Sequence, residues 1–150
     1  MKRLVCGAAG AMLVAALAAA QQGAGEVDLA SVEMGGRIES ATSELSLPDW
    51  SAVNLIARTP FSGWSAGDPR VPQDIVFSFL ARQPALVGAV LVTPSTGGAA
   101  GAARDVEIWI STQSATEGFT RVAASTLKPE RIEQPVSIAP VDARFVKVRI

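Results

Sequence analysis

Residues Asn54–Pro94 read NLIARTPFSGWSAGDPRVPQDIVFSFLARQPALVGAVLVTP. The stretch opens with a polar loop, punctuated by Gly and Pro, that carries Phe61 and Trp64. Two apolar runs follow, Gln73–Leu80 (QDIVFSFL) and Ala85–Thr93 (ALVGAVLVT), bounded by Pro72, Pro84 and Pro94. Proline has no ladder donor and marks where strand pairing stops, so these runs predict two strands. Their short separation predicts a hairpin. An aromatic loop feeding a two-strand unit is a recognition surface mounted on a rigid sheet.

Downstream, Ser95–Ala103 (STGGAAGAA) is a small-residue loop with no chemistry of its own. Asp105–Ser111 (DVEIWIS) alternates: Val106, Ile108 and Ile110 point one way, Glu107 and Trp109 the other. Period-two alternation of β-branched residues is the signature of a half-buried strand. After a turn over Thr112–Gly118 come three further short strands, Phe119–Ala123, Pro135–Ala139 and Ala143–Ile150. A polar connection, Thr126–Gln134, separates the first two. In the last strand Val146, Val148 and Ile150 alternate with Phe145, Lys147 and Arg149. Short strands, Gly/Pro turns and almost no helix predict an all-β chain folded as an antiparallel β-sandwich or jelly roll.

Upstream, Arg37–Leu47 (RIESATSELSL) reads as an irregular segment that reaches the core through Ile38, Leu45 and Leu47. Pro48–Ser51 is a turn, and Ala52–Ile56 one helical turn with Ser51 as its cap and Ala52, Leu55 and Ile56 on one face. Gln21–Gly36 is a leader or first edge segment, in which Val27–Met34 is strand or short helix and Gly35-Gly36 a turn. Met1–Ala20 has Lys2-Arg3, an uncharged apolar run from Leu4 to Ala19, and small residues before Gln21. That is the pattern of a cleaved signal peptide. The run is short and alanine-rich for a bilayer span. The expected organisation is a signal peptide over 1–20, a leader over 21–36 and one β-sandwich domain over 37–150, exported to the periplasm or beyond the cell, with no membrane insertion after cleavage.

Cys6 is the only cysteine and leaves with that leader, so the exported domain relies on its core without a disulfide. With 13 basic and 14 acidic residues in the chain, it has no basic excess with which to displace counterions from nucleic acid. It has no His and no Tyr. No serine sits in a G-x-S-x-G elbow, and no glycine-rich phosphate loop precedes a helix. Glu39 with Glu44, or Asp68 with Asp74, are carboxylate pairs of the kind glycosidases use, but sequence spacing does not place them in space. Nothing assembles a nucleophile, a base and an oxyanion site. A non-catalytic chain is expected, with no cofactor and no metal.

Five short motifs occur in order: Ala52-Val53-Asn54-Leu55-Ile56, Ser62-Gly63-Trp64, Pro72-Gln73-Asp74-Ile75-Val76-Phe77, Val106-Glu107-Ile108-Trp109-Ile110-Ser111 and Ala143-Arg144-Phe145-Val146-Lys147-Val148. In order and spacing they resemble the discoidin, or coagulation factor V/VIII type C, domains. The resemblance spans about Gly36 to Ile150. It implies an eight-stranded, galactose-binding-domain-like jelly roll whose end loops bind glycans, lipids or proteins. Members often follow the Asn-Leu-Ile positions with Asp-Gly at a calcium site. This chain has Ala57-Arg58 there, so a hard cation loses a carboxylate. The family's last strand would follow the Ala-Arg-Phe strand, and its lack leaves a strand edge open. The expectation is that the chain is a fragment or continues in a larger protein.

Sugar binding needs an apolar ring face and a few fixed polar groups. Phe61 or Trp50 can supply the face, and Asn54, Ser62, Asp68 and Arg70 the polar groups. Trp64 either stacks on a sugar or packs at the loop base, as in the resembling motif. Asp68 and Arg70 either orient hydroxyls or are simply solvated. Trp109 lies on the outer sheet face or under a covering loop, and Arg144 resembles a structural arginine of the family. A glycan is the first expected partner. The alternative is a structural or protein-interaction domain of a larger cell-envelope protein. The sequence does not specify an oligomeric state.

Overall fold

The computed structural model describes residues 27–57, 62–68, 70, 72–94 and 103–150. Alternation in DVEIWIS is realised as expected: Val106, Ile108 and Ile110 are buried, while Glu107 and Trp109 lie on the opposite face. The strands are β1 (Arg37–Ala41), β2 (Asp74–Ser78), β3 (Ala85–Val92), β4 (Asp105–Ser111), β5 (Thr120–Thr126), β6 (Gln134–Ala143) and β7 (Phe145–Arg149). They form a five-stranded sheet in the order β1-β2-β7-β4-β5 and a two-stranded sheet of β3 and β6. Every neighbouring pair is antiparallel. Between the sheets lies one apolar core that includes Val106, Ile108, Val146 and Val148 from the larger sheet and Val87, Val136 and Ile138 from the smaller.

The two strands of the opening stretch are present but are not a hairpin. β2 pairs with β1 and β7, and β3 pairs with β6. The reason is local. Leu80–Arg82 forms a 3-10 turn in which Ala81 and Arg82 take positive φ, 52° and 55°, and this turn carries the chain from one sheet to the other. Glu39 clamps it by accepting a bidentate pair from Arg82 at 2.9 and 2.8 Å, while Ser78 Oγ donates to Glu39 at 2.6 Å.

Other readings change in the same way. Arg37–Ala41 is an ordered edge strand, because its backbone pairs with β2 whatever its side chains are. Leu45 and Leu47 are exposed instead of core, since the chain has by then left the sheet for the end of the sandwich. The helical turn α1 covers Asn54–Ala57 with Ala52 and Ile56 buried and Leu55 exposed. Ser51 does not cap it. The Ala52 N–H donates to the Glu44 carboxylate at 2.7 Å, and the Ser51 hydroxyl turns back to the Pro48 carbonyl. Val32–Met34 is a 3-10 turn capped by Ser31 and ended by Gly35 at φ 82°. β5 and β6 both run longer than their apolar runs predicted.

Candidate functional site

The segment joining β1 to β2, residues 42–73, leaves and re-enters the larger sheet at one end. Its last residue, Gln73, exchanges two backbone hydrogen bonds of 2.9 Å with Ile150 at the end of β7. Pairing of Glu107 with Arg149 puts the start of β4 at the same end. Within this segment lie all seven residues that the sequence singled out. Phe61 falls outside the described residues; the other six, Trp50, Asn54, Ser62, Trp64, Asp68 and Arg70, are brought into one loop.

That loop is held by its own polar groups. Asn54 Nδ2 donates to the Pro48 carbonyl at 2.7 Å and to the Gly63 carbonyl at 3.3 Å. The Gly63 N–H donates to Asp49 O at 2.9 Å and the Ser65 N–H to Trp50 O at 3.1 Å. Trp64 Nε1 donates to the Ser43 carbonyl at 2.9 Å, which holds the half-buried ring against the incoming strand of the loop. Asn54 and Trp64 are therefore both tied by hydrogen bonds within the loop.

Three further residues, none of them among the expected ligand-binding set, hold the loop. Gln73 is 4% exposed. Its Oε1 accepts from Ser43 Oγ at 2.8 Å, and its Nε2 donates to Asp68 O at 3.1 Å and to Arg70 O. Ser43 Oγ in turn accepts from the Asp68 N–H at 3.2 Å. Glu44 is the third, through its bond to Ala52. Polar residues at loop bases have no pattern of their own in a sequence. The one available signal was a glutamine at the threshold of an apolar strand, directly after Pro72.

Asp68 and Arg70 form an ion pair at the surface of the loop. The Arg70 guanidinium lies on the Asp68 carboxylate with side-chain exposures of 87% and 32%. That guanidinium, and then the Arg70 backbone N–H, hold the Asp68 carboxyl below its usual range. The pair is an ordered patch of donors and acceptors beside the loop, with Trp50 half-buried in the same segment. Past Pro72 an open cleft of about 620 Å³ runs between Asp105, Glu107, Thr126, Arg149 and Ile150. None of the sequence-predicted residues lines it.

Each carboxylate of the two pairs considered for hydrolysis has a hydrogen-bond partner of its own. Glu39 is committed to Arg82 and Ser78, Glu44 to Ala52, Asp68 to Arg70 and Asp74 to Arg149. Trp109 lies on the outer face of the larger sheet, with Lys147 Nζ 5.0 Å and Arg149 Cζ 5.4 Å from its ring centre. Its indole N–H donates to Glu107 at 3.0 Å. Arg144 is exposed between β6 and β7, and its backbone N–H donates to Ser111 O at 2.9 Å.

Two packed antiparallel sheets in this order define a galactose-binding-like jelly roll, the fold of the discoidin domains. Solved structures agree. A family 32 carbohydrate-binding module from C. perfringens NanJ, solved with galactose, matches with a TM-score of 0.63 at 24% identity, over 76% of this chain and 80% of that one. Chitosan-binding module 1 from a chitosanase/glucanase of Paenibacillus sp. IK-5 matches with a TM-score of 0.64 at 18% identity, over 83% and 86%. Module 2 of that enzyme, solved with chitotriose, gives 0.62 at 16%, over 81% and 86%. No protein-family model matches the chain, and no curated protein matches it by sequence.

Proposed function

We propose that this chain is an exported, non-catalytic module that binds a glycan through the 42–73 loop. The observation that carries the reading is the loop itself. Buried Gln73, with Asn54 and Trp64, fixes its backbone, and the Asp68–Arg70 pair and the half-buried Trp50 ring are left at its surface. Solved modules that share this fold were captured with galactose and chitotriose. A rigid loop offering one ring face and ordered donors suits a sugar, because little ordering entropy is lost on binding. Phe61, in the same loop of the sequence, is the second ring we assign to the surface.

The test is a glycan array followed by calorimetry on the best binder. A ring stacked on a sugar contributes on the order of 1 kcal/mol, so Trp50→Ala or Phe61→Ala should weaken binding severalfold. Arg70→Ala should weaken it further while leaving the melting temperature unchanged. A folded protein that binds nothing on the array overturns the glycan reading in favour of a protein-interaction domain. A large drop in melting temperature for Phe61→Ala would make that ring a packing residue.

A further inference from the structure

The chain holds three tryptophans, and two of their indole N–H groups are bonded inside the protein. Trp64 donates to the Ser43 carbonyl at 2.9 Å and Trp109 to Glu107 at 3.0 Å. The Trp50 indole N–H has no partner among the described residues. No side-chain nitrogen sealed from solvent is left unbonded there, so this donor reaches the surface. The carboxylates of the same loop divide in the same way. Glu44 accepts from the Ala52 N–H, and Asp68 is held by Arg70. Asp49 is exposed, and its carboxylate has neither a hydrogen bond nor an ion pair among the described residues.

These two open groups stand on neighbouring residues of a backbone that is held at every step. The successive carbonyls of Pro48, Asp49 and Trp50 accept from Asn54 Nδ2 at 2.7 Å, from the Gly63 N–H at 2.9 Å and from the Ser65 N–H at 3.1 Å. The Trp50 N–H closes the 3-10 turn Pro48–Trp50 on the Leu47 carbonyl at 3.0 Å. Backbone ties thus fix the position of both residues and leave their side chains uncommitted. Consecutive Cα atoms lie about 3.8 Å apart, so the carboxylate and the indole are within the span of one or two sugar units. Little ordering entropy is lost when such a fixed pair takes a ligand.

Charge says which sugar fits. Among the described residues of the loop, Glu44, Asp49 and Asp68 stand against one cation, Arg70, and that cation lies on Asp68. The remainder is negative, so a sugar acid meets repulsion there. A protonated amine meets two attractions instead, a carboxylate and an indole ring. Resting on the glycan reading above, we infer that Asp49 and Trp50 recognise a sugar unit with a free, protonated amine, a 2-amino-2-deoxy sugar without its acetyl group. Asp49 accepts from the ammonium, and Trp50 packs against the sugar ring while its N–H donates to a hydroxyl. Acetylation removes the charge and leaves Asp49 a single amide N–H in place of an ammonium.

The test is calorimetry in mildly acidic buffer with two probes of equal length, a glucosamine oligomer and its fully N-acetylated counterpart. The glucosamine oligomer should bind about fivefold more tightly, the weight of one exposed charge pair, and salt should reduce the difference. Asp49→Asn should remove that preference with the melting temperature retained, because the carboxylate holds nothing in the fold. Glu33→Gln makes the same change of charge at the other end of β1, in the turn that precedes it, and should leave the preference intact. A preference that is absent or reversed overturns the inference. So does one that survives Asp49→Asn, or one that Glu33→Gln removes equally, which would trace it to the charge of the whole chain. If neither oligomer binds while another glycan on the array does, the amine assignment falls and the glycan reading stands. Binding to no glycan at all removes both.

Discussion

Gln73 shows how one side chain governs the loop. Its amide ties Ser43, Asp68 and Arg70 together, and the same residue pairs by its backbone with Ile150. Replacing it with alanine leaves the Ser43 hydroxyl and two carbonyls, in a partly buried place, without that partner. Leaving a buried polar group unsatisfied costs about 1–3 kcal/mol. Gln73→Ala should lower stability in chemical denaturation by that order and weaken glycan binding as well, although its side chain is not at the surface. Unchanged binding with lowered stability would show that the loop surface holds its shape without this tie. Trp64 belongs to the same set: the sequence left stacking and packing both open, and its indole N–H is bonded to the Ser43 carbonyl.

At the scale of elements, β2 and β7 are stitched together across the outer face of the sheet. Arg149 reaches Asp74 with two bonds of 2.7 and 2.8 Å, and Lys147 lies 4.0 Å from the same carboxylate. The bonded Arg149 guanidinium holds the Asp74 carboxyl below its ordinary range, against burial, which acts upward. Arg82, aided by Ser78, does the same for Glu39 between β1 and the sheet-crossing turn. A carboxyl that is harder to protonate folded than unfolded contributes its full stability above the unfolded pKa. That contribution disappears as the pH falls through the lower folded value. The melting temperature should therefore hold from neutral pH to about pH 5 and fall below about pH 4, where unfolded carboxyls begin to bind protons. Asp74→Asn should lower the neutral melting temperature and make the acid fall shallower. Calorimetric scans that keep the wild-type acid slope in this variant would remove the pair from the explanation.

At the scale of the molecule, one core joins two unequal sheets, and the proposed functional surface is the end where 42–73 crosses over. The proposed site needs a glycan outside the cytoplasm, which fits the Lys2-Arg3 start, the apolar run and Ala18-Ala19-Ala20. Protein recovered from its host should begin near Gln21 by intact mass. Recovery of a soluble cytoplasmic form that keeps Met1 would defeat the export proposal.

Sequence by itself determined the strands whose apolar residues alternate or run unbroken. Val106, Ile108 and Ile110 needed only the two-residue period of a pleated backbone, and the proline-bounded runs marked β2 and β3. The order of five motifs was enough to suggest the fold family. Sequence also gathered the candidate residues, because the loop is one continuous segment. Only the tertiary structure decided which strands pair. Partner choice for β2 and β3 depended on a 3-10 turn with two residues at positive φ, clamped by Glu39 from a distant strand, and no local pattern records such a clamp. It also decided which loop residues build and which face outward. Asn54, Trp64 and Gln73 are polar or amphipathic, and their roles depend on whether a carbonyl from another part of the chain comes within hydrogen-bond reach, which is a fact of three-dimensional position.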